Sequence, residues 1–198
     1  MQFSTAPVAH IPHPNQPLSS VQRREVRDVV MRRASAYLDR RGMTETARDG
    51  HIEFDAAGLS RDELSDLQEG LVKHVARKLN VEQIGGACVT RLDRILNADH
   101  PRLTSDEAAE LLARRGYGLE RDLPHAAAAV LTDWCGGLPV HIAHGADGGS
   151  YVLPYAGECS RSTADGAVSI DMTRLLQFLM GVERPEDALP PKCQRRIA

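Results

Sequence analysis

Residues 138–155 read Leu-Pro-Val-His-Ile-Ala-His-Gly-Ala-Asp-Gly-Gly-Ser-Tyr-Val-Leu-Pro-Tyr, and this stretch decides the fold class. Apolar and polar residues alternate from Leu138 to His144, the period of a half-buried strand. The Gly145-to-Gly149 segment supplies a turn, and Ser150 to Tyr155 returns as a second strand. Because successive strand side chains point to opposite faces, Val140, Ile142 and His144 share one face, with His141 and Ala143 on the other.

Away from this hairpin the periodicity is helical. Ser19 and Gln22 form a capping-box pattern ahead of Val26, Val29, Val30, Ala34, Tyr37 and Leu38, and Gly42 is the stop. Ser60 and Glu63 repeat the box before Leu64, Leu67, Leu71, Val75 and Leu79. Further helices are expected from Val89, from Thr104 with Glu107, from His125 to Trp134 behind Pro124, and after Asp171. His51 to Asp55 is the one other extended piece. Aromatic residues make up 4% of the chain, which favours helix packing over a large sandwich. The expected architecture is therefore α+β: a helix-rich single domain over 19–182 with a small antiparallel sheet at 138–155.

Residues 1–18 carry no charged side chain but contain Pro7, Pro12, Pro14 and Pro17, a composition that does not pack, so a disordered leader is expected. Its Ser, Pro, Gln and Thr content is also that of type III secretion leaders. Residues 183–198 are expected to form a loose tail. No stretch approaches the roughly 18 apolar residues a membrane helix needs, and the N-terminus lacks the pattern of a secretory signal. The chain is expected in the cytoplasm, or exported without a Sec signal into a host cytosol. A net charge of −3 with no basic stripe argues against nucleic acid. The four cysteines, Cys88, Cys135, Cys159 and Cys193, are widely spaced without a CxxC pair, so free thiols are expected.

Cys88 is the residue with the clearest chemical promise. It follows Gly85, Gly86 and Ala87 at a helix start, where free N–H groups and the helix dipole favour thiolate. Gln83 lies upstream and carries an amide that can donate to an oxyanion. His141, on the face away from Val140 and Ile142, is the candidate base, and Asp165 the candidate orienting acid. A Cys at the start of a buried helix also serves as a small apolar filler, and the sequence leaves both readings open. Zinc on Cys135, His141, His144 and Cys159 is disfavoured, because the histidines point to opposite faces and the spacing forms no knuckle. No metal or cofactor is expected.

Over residues 83–165, a Gln before a Gly-flanked Cys at a helix start, followed by a His on a later strand, resembles the papain-like cysteine hydrolases of bacterial effectors. The resemblance implies a protease or deamidase acting on a protein substrate, with Cys88, His141, Asp165 and Gln83 in the roles above. The sequence departs from that family in two places. The Gln83-to-Cys88 interval is one residue short, and Pro154 and Tyr155 stand where an orienting Asp or Asn commonly closes the strand. The reading kept beside it is a non-catalytic module that binds a host or secretion-system protein.

Overall fold

The computed structural model describes residues 20–81, 89–119, 123–145, 148–154, 157–163 and 165–180. Among these the chain runs α1 (Ser20–Asp39), β1 (Glu45–Arg48), β2 (His51–Asp55), α2 (Arg61–Val81), α3 (Val89–Asn97), β3 (Arg102–Thr104) and α4 (Ser105–Ala113). It continues α5 (His125–Trp134), β4 (Val140–His144), β5 (Gly148–Leu153), β6 (Gly157–Ser162), β7 (Ala167–Asp171) and α6 (Met172–Met180). The proposed leader, the proposed tail, Gln83 and Cys88 lie outside the described residues.

The strands form one seven-stranded sheet in the order β1-β2-β7-β6-β5-β4-β3. The β3–β4 pair is parallel and the other pairs are antiparallel. This corrects the expectation of a small antiparallel hairpin in a helix-rich domain. The hairpin at 138–155 exists, but it is the β4–β5 part of a mixed sheet that reaches back to residue 45. The scarcity of aromatics misled because the sheet fills its faces with other residues. One face packs on the alanine-rich α5 through Val140, Ile142 and Val152 with Ala127, Ala128 and Leu131. Alanines let that helix approach the strands closely, so no large side chains are required there.

The opposite face carries α1, α2, α3 and α6. Ile52, Phe54, Val168 and Ile170 meet Leu71, Val75, Leu175 and Leu179 in the larger core. Register ties this face into two cross-strand rows. Ile52, Ile170, Ser160, Tyr151, His141 and Arg102 form one, and Phe54, Val168, Ser162, Gly149, Ala143 and Thr104 the other. A bulge between Tyr151 and Val152 in the β5–β6 pairing leaves Cys159 as an extra residue buried in the larger core.

Local chemistry sets the element ends. Ser60 and Glu63 close the capping box before α2, the Ser60 N–H donating to Glu63 Oε2 at 2.8 Å and the Glu63 N–H to Ser60 Oγ at 3.3 Å. Thr104 and Glu107 form the same box before α4. Asp171 Oδ1 accepts from the N–H groups of Thr173 and Arg174 at 2.9 and 3.0 Å, starting α6 where the sequence places it. Between β1 and β2, Asp49 and Gly50 take positive φ of 50° and 85°, the two-residue turn that matches strand twist. None of the described helices is long and apolar enough to cross a membrane.

Candidate functional site

The two rows change character along the sheet. Toward β6, β5 and β4 the side chains become Ser160, Tyr151, His141, Ser162, Gly149 and Ala143, and small residues leave space beneath α2. The result is a cleft of about 450 Å³. Its walls are the start of α2 from Ser60 to Ser65, the β3–α4 junction at Thr104 and Glu107, and the β6–β7 turn at Thr163, Asp165 and Gly166. Gly166, at a φ of 86°, lets that turn press on Ala57, whose Cα would clash with any added Cβ.

Polar groups lining the cleft are tied in place. Gln68 of α2 is buried and donates its amide to Ser160 Oγ at 2.7 Å, pinning the helix to the sheet. Ser162 Oγ accepts from the Gly149 N–H at 2.7 Å and donates to the Gly149 carbonyl at 3.1 Å. Arg61 donates to the carbonyl of Gly145, and Arg102 to Asp66, with Asp62 a further 3.7 Å from Arg102. The Asp66 hydrogen bond holds the Arg102 guanidinium in its charged form. On the acidic side, hydrogen bonds from Thr104 keep the Glu107 carboxyl below its usual range. The bond from Thr163, then that from the Ala167 N–H, does the same for Asp165. The cleft therefore presents fixed charges of both signs at neutral pH.

His141 sits on the floor, 4% exposed, with its ring centroid 4.2 Å from that of Tyr151. Its Nε2 has no hydrogen-bond partner among the described residues. Burial, reinforced by nearby His100 and Arg102, pushes its pKa down to about 3, so the ring is neutral at physiological pH. Tyr151 is buried behind it, its Oη 2.5 Å from His100 Nδ1, and desolvation holds the phenol well above its ordinary range. His100 Nε2 faces the Ile95 carbonyl at 3.3 Å. A carbonyl only accepts, so Nε2 carries the proton and Nδ1 receives the Tyr151 hydroxyl.

Of the sequence candidates, His141 and Asp165 both border this cleft, Asp165 from its exposed turn. Gln83 and Cys88 lie outside the described residues. Cys159 is buried and Cys135 half-buried, and desolvation raises both thiols away from the thiolate form. His144 lies on the α5 face, its Nε2 3.1 Å from Ser150 Oγ, so the expected separation of the two histidines holds and the Cys135, His141, His144 and Cys159 quartet does not assemble. Sequence reasoning missed Gln68, Glu69, His100, Arg102 and Tyr151. They come from α2, the segment before β3, β3 itself and β5, so no spacing links them, and Glu69 reads as one more charge on an amphipathic stripe.

No protein-family model matches the sequence, and no curated protein matches it in sequence. Solved structures do match in fold. The asparaginyl-tRNA synthetase of Pyrococcus horikoshii superposes with a TM-score of 0.61 at 14% identity, covering 86% of this chain and 69% of that one. The same enzyme complexed with asparaginyl-adenylate gives 0.60 at 13% identity, with 86% and 70% covered. The asparaginyl-tRNA synthetase of Entamoeba histolytica with asparaginyl-adenylate gives 0.59 at 11% identity, with 86% and 68% covered. These matches overturn the papain-like resemblance, and the effector, virulence and type III secretion readings attached to it fall with it. A thiol on a helix followed by a His on a strand is an element order that a mixed sheet of another kind also produces. The chain has the fold of the asparaginyl-tRNA synthetases.

Proposed function

We propose that the chain binds a small polar ligand of aminoacyl type, a free amino acid or its nucleotide conjugate, in the cleft between α2 and the sheet. The observation that carries this reading is the set of opposed charges along one cavity. Arg61 and Arg102 stand on one side, with Glu107 and Asp165 on the others, all held by hydrogen bonds of their own. A zwitterion meets such a site with its carboxylate toward a guanidinium and its amine toward a carboxylate. The volume of about 450 Å³ falls in the range of small-molecule and cofactor sites, roughly 300–1,000 Å³. Two of the fold neighbours are complexed with asparaginyl-adenylate, a ligand of this class. The neighbours are also named for tRNA, but a chain of net charge −3 is a poor match for a polyanion, so the proposal stops at the small ligand.

The reading requires no thiol, and Cys88→Ala should leave binding unchanged. The test is calorimetric titration of the full chain with the amino acids, ATP and non-hydrolysable aminoacyl-sulfamoyl-adenosines. Saturable binding of at least one, weakened about tenfold or more by Arg61→Ala and Asp165→Asn, is the expected result, since each removes a charge-assisted contact. Absence of saturable binding across the panel, or binding indifferent to both substitutions, overturns it.

A further inference from the structure

Glu69 on α2, His100 before β3 and His141 on β4 each bring one ligand atom into a group in which all three atoms lie within 4.8 Å of one another. Among the described residues this is the group of His, Cys, Asp and Glu side chains that converges closely enough to hold a metal ion. The cluster is reachable from two sides. The cleft reaches His141, and a neighbouring opening of about 440 Å³ reaches Glu69 and His100, with Arg102 bordering both.

The three groups are prepared for a cation in different ways. His141 is nine-tenths buried and more, yet its Nε2 has no partner; a buried polar atom without a partner is rare in a folded protein and calls for an occupant. His100 has its tautomer set by the Ile95 carbonyl, the outer-sphere device that aims a ligating imidazole. Its Nδ1 lone pair is directed toward Tyr151, whose rotatable hydroxyl is the group a cation would displace. Glu69 gives Oε1 to Lys73 at 2.6 Å, while Oε2 lies 3.8 Å from Arg102 and so has coordination capacity left. The side opening carries three carboxylates, Asp66, Glu69 and Asp99, against the two cations Lys73 and Arg102. The local charge therefore does not repel a divalent ion.

We infer that Glu69, His100 and His141 form a binding site for a divalent cation of borderline softness, zinc or cobalt, with a fourth position open toward water or a bound molecule. Two imidazoles and one carboxylate suit such ions, whereas magnesium and calcium prefer sets made of oxygen alone. The inference stands apart from the cleft ligand: a metal can bind here whether or not an amino acid does.

The experiment is a titration of the full chain, stripped with chelator, with Co²⁺, followed by its visible d–d absorption and repeated with Zn²⁺ as competitor. One equivalent should bind with the intense bands of a four-coordinate site, without a thiolate charge-transfer band, and be displaced by zinc. Glu69→Gln and His141→Phe should each weaken uptake at least about tenfold, the scale on which even outer-sphere partners act. Circular dichroism establishes that each variant is folded, and Glu69→Gln, which is isosteric, carries the comparison where His141→Phe is not. No uptake by the wild-type chain, a thiolate band in its spectrum, or uptake unchanged in Glu69→Gln overturns the inference.

Discussion

The two ends of one sheet face make opposite use of the same pleat. At the β2–β7 end Ile52, Ile170, Phe54 and Val168 lie side by side under α6 and α2, all 5% exposed or less. Across the next three strands, β6, β5 and β4, the same two rows become Ser160, Tyr151 and His141, and Ser162, Gly149 and Ala143. The strands pair in one continuous sheet from one end to the other, apart from the bulge at Tyr151 and Val152, so the difference lies chiefly in the side chains. The apolar end gives up the possibility of a site in exchange for burial. The polar end buries Ser160, Tyr151, His141 and Ser162 as well, but holds its groups by hydrogen bonds and leaves a hollow beside them. Cohesion and chemistry are thereby separated along the strand-to-strand direction of a single layer.

The largest way to break this division is at the apolar end. Ile170→Ala should cost about 2–5 kcal/mol in urea unfolding, the range for emptying a packed aliphatic site. Co²⁺ and ligand titrations of the folded fraction should stay unchanged. A cost below about 1 kcal/mol would mean that this end is not the anchor.

Ser160→Ala, at the boundary, comes next. It leaves the buried Gln68 amide without its 2.7 Å acceptor and should cost about 1–3 kcal/mol. The double variant with Gln68→Leu should recover part of that loss, because a pair removed together leaves no orphan. Strictly additive costs in the double-mutant cycle would show that Gln68 does not pin α2 to the sheet.

The most gradual effect is a pH slope. His141 has a folded pKa of about 3 against 6.5 for the free side chain. Below pH 6.5 the unfolded chain takes up a proton that the folded ring refuses. Folded stability should therefore fall as pH drops from 6.5 toward 3, by about 1.4 kcal/mol per pH unit from this group alone, and level off below. His100, also lowered by burial, acts in the same direction. Urea unfolding in chelator across this range checks the slope, and His141→Phe should flatten most of it. An equal slope in that variant would place the proton uptake elsewhere.

Legibility in the sequence followed the same division. The helices announced themselves through caps and stripes: Ser60 with Glu63, Thr104 with Glu107, Pro124, and Asp171 each stand at the start of an observed helix. The β2 strand and the β4–β5 hairpin were readable from alternation. The β6 strand was not, because Gly-Glu-Cys-Ser-Arg-Ser offers neither β-branched residues nor an apolar alternation. Its pairing on both sides, not its composition, makes it a strand. The β1–β2 hairpin did carry a signal in Asp49-Gly50 between extended segments, a turn pair that deserved more weight than the charged β1 residues suggested. At the site, facing could be read for His141 and His144, since period two decides it. The convergence of Glu69, His100 and Tyr151 on His141 could not be read, because it depends on which strands lie adjacent, and that order is a property of the folded sheet.

The ends of the sheet carry a further consequence. Its two outermost strands are β1, whose Glu45 and Arg48 flank a short and largely exposed run, and β3, three residues long and opening on Arg102. An open strand edge is a template on which another chain can add itself, and short, charged edges are poor templates. Among the described residues, each edge therefore offers a copy of the chain only a few backbone amides beside ionic side chains, a poor start for strand-on-strand growth.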